Sequence, residues 1–153
     1  METVDASVAL VKEIVPLVDG RFRTVAEPRA RAVSGREIDA VVATAAAFAE
    51  PGLFGALAIQ SAFLLDVVET EIKSRVRPAS DRPLRVYHDW GVHGHASTRE
   101  SRDFRAANRR FTEYLRSKGH QPAGGEARDG DGWASWRNRT DQLFAALFPP
   151  PSR

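Results

Sequence analysis

Two carboxylates and a group of histidines are the residues best placed to do chemistry in this chain. Glu37 and Asp131 each follow a candidate strand, where open α/β sheets place their ligand crevice. Close carboxylates can split their pKa values and act as acid and base. A glutamate at a helix start more simply stays ionised, so acid–base work by this pair is not the favoured reading. His88, Asp89, His93 and His95 stand at or after the end of the best strand. Imidazole and carboxylate suit several divalent ions, and His93-x-His95 could give two ligands from one loop. Their spacing matches no familiar zinc pattern, which favours His88 as a packed strand residue and His93 and His95 as solvated loop residues. Neither a metal nor a cofactor is expected. Glu37, His93, His95 and Asp131 form the candidate ligand-binding set. Ser34 and Ser61 lie at strand ends without a Gly-x-Ser-x-Gly setting and read as structural. Trp133 and Trp136 could stack a ligand; three residues apart at a helix start, they more simply anchor that helix on the sheet.

Those positions depend on the elements that carry them. Apolar residues from Val8 to Val18 recur at helical spacing, and Pro16 with Asp19-Gly20 supplies a stop, predicting a helix over 6–18. Arg31–Ser34 reads as a short strand ended by Gly35. Ile38–Ala49 reads as a helix apolar almost all round. Gly55–Gln60 has the continuous apolar run of a strand covered on both faces, and Phe63–Lys73 returns to helical period. Leu84–Trp90 is the best strand and Arg99–Lys118 the best helix. A weaker strand lies between Gln121 and Ala127, and one last helix carries Trp136, Leu143, Phe144 and Leu147. Strands alternating with helices, without hairpin signals, predict a three-layer α/β fold: a mostly parallel sheet of about four strands with helices on both faces. One domain is expected over 1–148, with a disordered tail over 149–153.

Composition removes several function classes. The 153 residues contain no cysteine, so disulfides, thiolate metal sites and cysteine nucleophiles are excluded. A net charge of +2 gives no strong pull toward polyanions. Arg102, Arg105, Arg109 and Arg116 share a helix face, but Glu100, Asp103 and Glu113 dilute it, so a solvated face rather than a nucleic-acid surface is expected. No apolar run approaches the roughly 20 residues of a membrane span, and the acidic start shows no signal peptide. A cytoplasmic location is expected.

Several blocks carry a family likeness. Glu13-Ile-Val-Pro-Leu-Val18 with Arg21-Phe-Arg-Thr24, Arg31-Ala-Val-Ser-Gly35, Pro51-Gly-Leu-Phe-Gly55 and Ser61 come first. Leu84-Arg-Val-Tyr-His-Asp-Trp-Gly91, Asn108-Arg-Arg-Phe-Thr-Glu-Tyr-Leu115 with Gly119, and Gly132-Trp-Ala-Ser-Trp-Arg137 follow. Together, over about 10–148, they resemble the second half of the enterochelin-esterase and esterase-D-like α/β hydrolases. In that family a Gly-x-Ser-x-Gly turn presents the nucleophile on a sharp elbow. The matching residues here are Gly35-Arg-Glu-Ile-Asp39, so the resemblance implies Glu37 at the nucleophile's place. It likewise implies Gly94 at the place of the triad acid and Asp131 at that of the histidine. The family's first half, with a loop giving one oxyanion donor, has no counterpart in these residues.

The resemblance therefore implies an esterase-family domain without its Ser/Asp/His triad, serving as a binding or structural module. The alternative is an active carboxylic-ester hydrolase using Glu37, His93, His95 and Asp131, or one completed by another chain. With Asp39 replacing the second glycine, the elbow is expected to relax to a negative φ at Glu37, with a helix starting near residue 37 or 38. In the complete family fold the strand near Val33 is internal. Here it is expected to pair with a second copy or a complementing chain.

Overall fold

Leu57 and Ile59 point to one face of their strand and Ala56 and Ala58 to the other, and this alternation sets the layers of the molecule. The computed structural model describes residues 2–50, 52–64, 66–93 and 98–150. Four parallel strands lie in the order β1 (Ala32–Arg36), β2 (Ala56–Gln60), β3 (Arg85–His93) and β4 (Ala123–Gly130). Val33 is in register with Leu57, Leu57 with Val86, and Tyr87 with Ala123. The connecting helices α3 (Asp39–Ala49), α4 (Asp66–Arg75) and α5 (Thr98–Ser117) all cover one face. There Ala43, Ala46, Ile72, Phe111 and Leu115 join Val33, Leu57, Ile59 and Val86 in one apolar cluster. The opposite face takes α6 (Trp133–Asn138) and α7 (Thr140–Leu147), with Leu143 and Leu147 packed on Ala56, Ala58 and Tyr87. Small residues on that side of β2 allow α7 to approach closely. The three-layer α/β fold of the sequence reading is the fold observed.

Some boundaries differ from expectation. The first helix does not stop at Asp19-Gly20; it runs as α1 (Glu2–Ala9), a π-turn (Leu10–Ile14) and α2 (Val15–Arg21). Pro16 lacks an N–H and would collide with a carbonyl four residues back in a regular helix. The wider turn before it, closed by Val15 N–H donating to Leu10 O, accommodates the ring. The last helix is two short ones broken at Arg139, whose φ and ψ are −108° and 6°. β3 extends to His93, so that residue ends a strand rather than sitting in a loop. Of the expected tail, residues 151–153 lie outside the described residues.

Candidate functional site

The carboxyl ends of the strands present three side chains by one repeated device. Glu37 N–H donates to Gln60 O at 3.1 Å, Ser61 N–H to Asp89 O at 2.7 Å, and Asp131 N–H to His93 O at 3.2 Å. The residue just past each of β1, β2 and β4 is thus tied to a neighbouring strand end. Glu37 and Ser61 also both adopt a left-handed backbone, with φ of 50° and 51°. Such a conformation costs a non-glycine residue about 1–3 kcal/mol and persists where the surroundings over-determine it.

The elbow is therefore not relaxed, contrary to the sequence expectation, and α3 begins at Asp39. The reason lies in which glycine position the turn depends on. A Cβ on Gly35 would lie 2.3 Å from Asp39 O, so the helix's first turn sits directly on Gly35. Asp39 itself is exposed, so its side chain obstructs nothing and stands in the first turn, where a negative charge complements the helix dipole. Glu37 O also accepts Phe63 N–H at 3.2 Å, which clamps both backbone groups of the elbow.

Ser61, read from sequence as structural, is central here. It is buried, its hydroxyl donates to Asp131 Oδ1, and its oxygen accepts Trp136 Nε1–H at 3.0 Å. Asp131 Oδ1 also accepts Gly91 N–H at 2.8 Å. Gly91 has to be glycine, because a Cβ there would stand 2.4 Å from Gly130 O. Asp131 thus joins Gly91, Ser61 and, through Ser61, Trp136.

The histidines separate. His88 is buried on the helix side, with Nδ1 2.9 Å from Thr112 Oγ1 and Nε2 3.0 Å from Asn108 Oδ1. Asn108 donates its amide to Ala62 O and Phe104 O, so its oxygen accepts and the His88 proton belongs on Nε2. Burial lowers the His88 pKa to about 4, keeping the ring neutral. His93 is exposed at the strand end, while Gly94 and His95 lie outside the described residues. Among the described residues no three His, Asp, Glu or Cys side chains converge as a metal site.

A model of the putative esterase family matches residues 7–147. The chain belongs to that family. Solved structures share its fold at low identity: enterochelin esterase from Shigella flexneri at 19% identity and TM-score 0.74, covering 94% of this chain and 37% of that one. Mycobacterium tuberculosis MPT51 has 16% identity and TM-score 0.68, covering 93% and 67%. A ferulic acid esterase has 13% identity and TM-score 0.64, covering 92% and 60%. The chain thus spans 60% of the ferulic acid esterase and little over a third of the enterochelin esterase. Among curated proteins none matches this chain.

Beneath the edge, this esterase-family domain holds a polar network that sequence reading missed. Asp89 is 1% exposed, and its Oδ2 accepts Tyr87 O–H at 2.7 Å and Arg139 Nε–H at 2.8 Å. Gln60 Nε2 lies 3.4 Å from the same carboxylate. Arg139 reaches Asp129 at 3.3 Å through Nη1, and Asp129 also accepts Gly130 N–H and the Ser135 hydroxyl. Burial, reinforced by Asp89, raises the Tyr87 pKa, while Gly130 N–H and Ser135 lower that of Asp129. The alternation of Tyr87 and Asp89 on one face of β3 was a legible signal; Arg139, 50 residues away, carried none.

Two cavities flank the edge. One of about 740 Å³ lies between α4 and α5, lined by Phe63, Leu64, Asp66, Phe104 and Arg110 among others. The other, about 430 Å³, is lined by Arg36, Trp133, Ala134, Arg137 and Thr140. Trp136 anchors its helix as expected, at 5% exposure, but Trp133 does not: it is 74% exposed. The arginine face of α5 is partly neutralised, since Arg105 and Arg109 both pair with Glu126. Among the described residues no helix is long and apolar enough to cross a membrane.

Proposed function

We propose that this domain is a non-catalytic module of the esterase family that holds a ligand at the carboxyl edge without cleaving it. The observation that carries the reading is the commitment of Ser61. Its hydroxyl, just past the end of β2, is buried, and it is held by Asp131 and Trp136. Acyl transfer needs an accessible nucleophile and a base poised to take its proton. The elbow presents Glu37 instead, and a carboxylate at position 131 is a weaker base than an imidazole. Purified protein is expected to show no turnover of short-acyl nitrophenyl esters above background, and Glu37→Ser alone is expected to add none. Turnover that Glu37→Ala abolishes would overturn the reading. The retained left-handed elbow favours a second reading, an active carboxylic-ester hydrolase working through Glu37 and Asp131, and the same assay separates the two.

Association belongs to the proposal. β1 is an edge strand among the described residues, and an edge offers unpaired backbone groups to another chain. Ile14, Val18 and Val25 are exposed apolar residues sharing a groove with Ala32 at its start. A second copy or a complementing chain pairing there is expected to give a stable assembly by light scattering; a monomer at high concentration would argue against it.

A further inference from the structure

Among the described residues Arg36 is a cation without a counter-ion. Its guanidinium lies 4.9 Å from the Trp133 ring centre and 5.4 Å from that of Trp136, within cation–π range of both. The two indoles meet edge to face, 5.8 Å apart at 70°, so the arginine sits in a corner made by their rings. The Trp136 wall of that corner is fixed, because Trp136 is buried and tied to Ser61. Arg36 is half-buried, yet among the described residues it has no ion pair, and its Nε is buried without an acceptor.

Arg85 likewise has a buried Nε without an acceptor and an aromatic face, Phe148, but its Nη2 donates to Arg29 O. Other covered arginines meet carboxylates or carbonyls. Arg31 pairs with Asp19, Arg105 with Glu126 and Arg139 with Asp89. Arg82 lacks a carboxylate but reaches the carbonyls of Ala47, Glu50 and Phe54. A desolvated charge is costly unless paired and hydrogen-bonded, and aromatic faces offset only part of that cost. Arg137, exposed on the same cavity, also has no ion pair among the described residues. The cavity of about 430 Å³ therefore joins two unpaired guanidinium groups to the open face of Trp133 and the methyl of Ala134.

We propose that this cavity binds a small organic carboxylate with a flat body, its carboxylate on Arg36 and Arg137 and its flat part stacked on Trp133. The guanidinium fork matches a planar carboxylate bidentately, and an indole face favours a planar partner. A planar carboxylate with a flat body fits better than a tetrahedral phosphate, which can meet the guanidinium groups but cannot stack on the indole. The proposal rests on the reading of the edge as a ligand-holding crevice and names the ligand class.

Benzoate serves as the probe, followed through the indole Nε1–H signal of Trp133 by NMR, with benzamide and inorganic phosphate as comparisons. Benzoate is expected to bind saturably with Kd of about 1 mM or tighter, and benzamide and phosphate at least tenfold more weakly. Arg36→Met is expected to weaken benzoate at least tenfold. Arg137→Gln, at an exposed position that does not support the fold, is expected to weaken it about threefold. No saturable shift, equal binding of benzamide or phosphate, or unchanged affinity in both variants would overturn the proposal. Turnover of 4-nitrophenyl benzoate alongside intact benzoate binding would overturn the non-catalytic reading and leave this site standing. Absent binding with absent turnover would do the reverse.

Discussion

Replacing Arg139 by methionine tests the energetics beneath the edge. Arg139 and Asp89 are 5% and 1% exposed and meet at 2.8 Å, so the substitution leaves Asp89 buried with only Tyr87 O–H and the more distant Gln60 amide. Removing one partner of a buried pair costs about 3–5 kcal/mol, because the other charge stays desolvated. The lost contact to Asp129 adds little, since that side chain is 36% exposed. For a domain of this size the loss lowers Tm by about 6–20 °C. Urea denaturation at pH 7 measures it. The rescue by a second substitution is the sharper test. Asp89→Asn in the same background removes the stranded charge and is expected to recover at least half the deficit. A single variant within about 1 kcal/mol of wild type, or a double variant no better than the single, would refute the argument.

Outcomes at four further positions follow from the geometry. His88 has a folded pKa of about 4 against an ordinary value of 6.5, so only the unfolded chain gains its proton as pH falls through that window. Wild type is expected to lose about 2 kcal/mol from this residue between pH 7 and pH 5, with a flatter pH profile for His88→Gln; parallel profiles in denaturant titrations would contradict it. Gly35→Ala drives a Cβ to 2.3 Å from Asp39 O and is expected to cost at least about 2 kcal/mol by thermal unfolding. Gly132→Ala, with no atom in the way and an extended φ of 165°, is expected to be tolerated. Glu37→Gly relieves a left-handed residue and is expected to stabilise the fold by about 0.5–1 kcal/mol, whereas Glu37→Val destabilises it.

What could be read in advance was what periodicity and composition encode. The run Ala56–Gln60 announced a strand buried on both faces, and the alternation of helices and strands announced the parallel sheet. Pro16 misled because a proline is a stop only where the turn before it is a regular one, and a π-turn is not visible as a pattern. The elbow misled for a related reason: the sequence shows that Asp39 replaces a glycine, but not that this side chain faces solvent while Gly35 carries the close approach. Ser61 looked ordinary since its left-handed backbone and its bond to Asp131 join residues 70 positions apart. Long-range polar pairing has no period, so the pairing of Asp89 with Arg139 needed the fold to reveal it.

The hand-over of backbone hydrogen bonds at the strand ends separates place from chemistry. Glu37, Ser61 and Asp131 are located by their own N–H groups, which every residue except proline possesses. Side chains that tolerate the backbone at these addresses can therefore be exchanged while the spacing between them stays that of the sheet. Such an edge works as a set of sockets, ruled by the rigid spacing of neighbouring strands rather than by loops. The spacing belongs to the sheet, so a side chain placed at one address inherits its distances to the others without any change elsewhere in the chain.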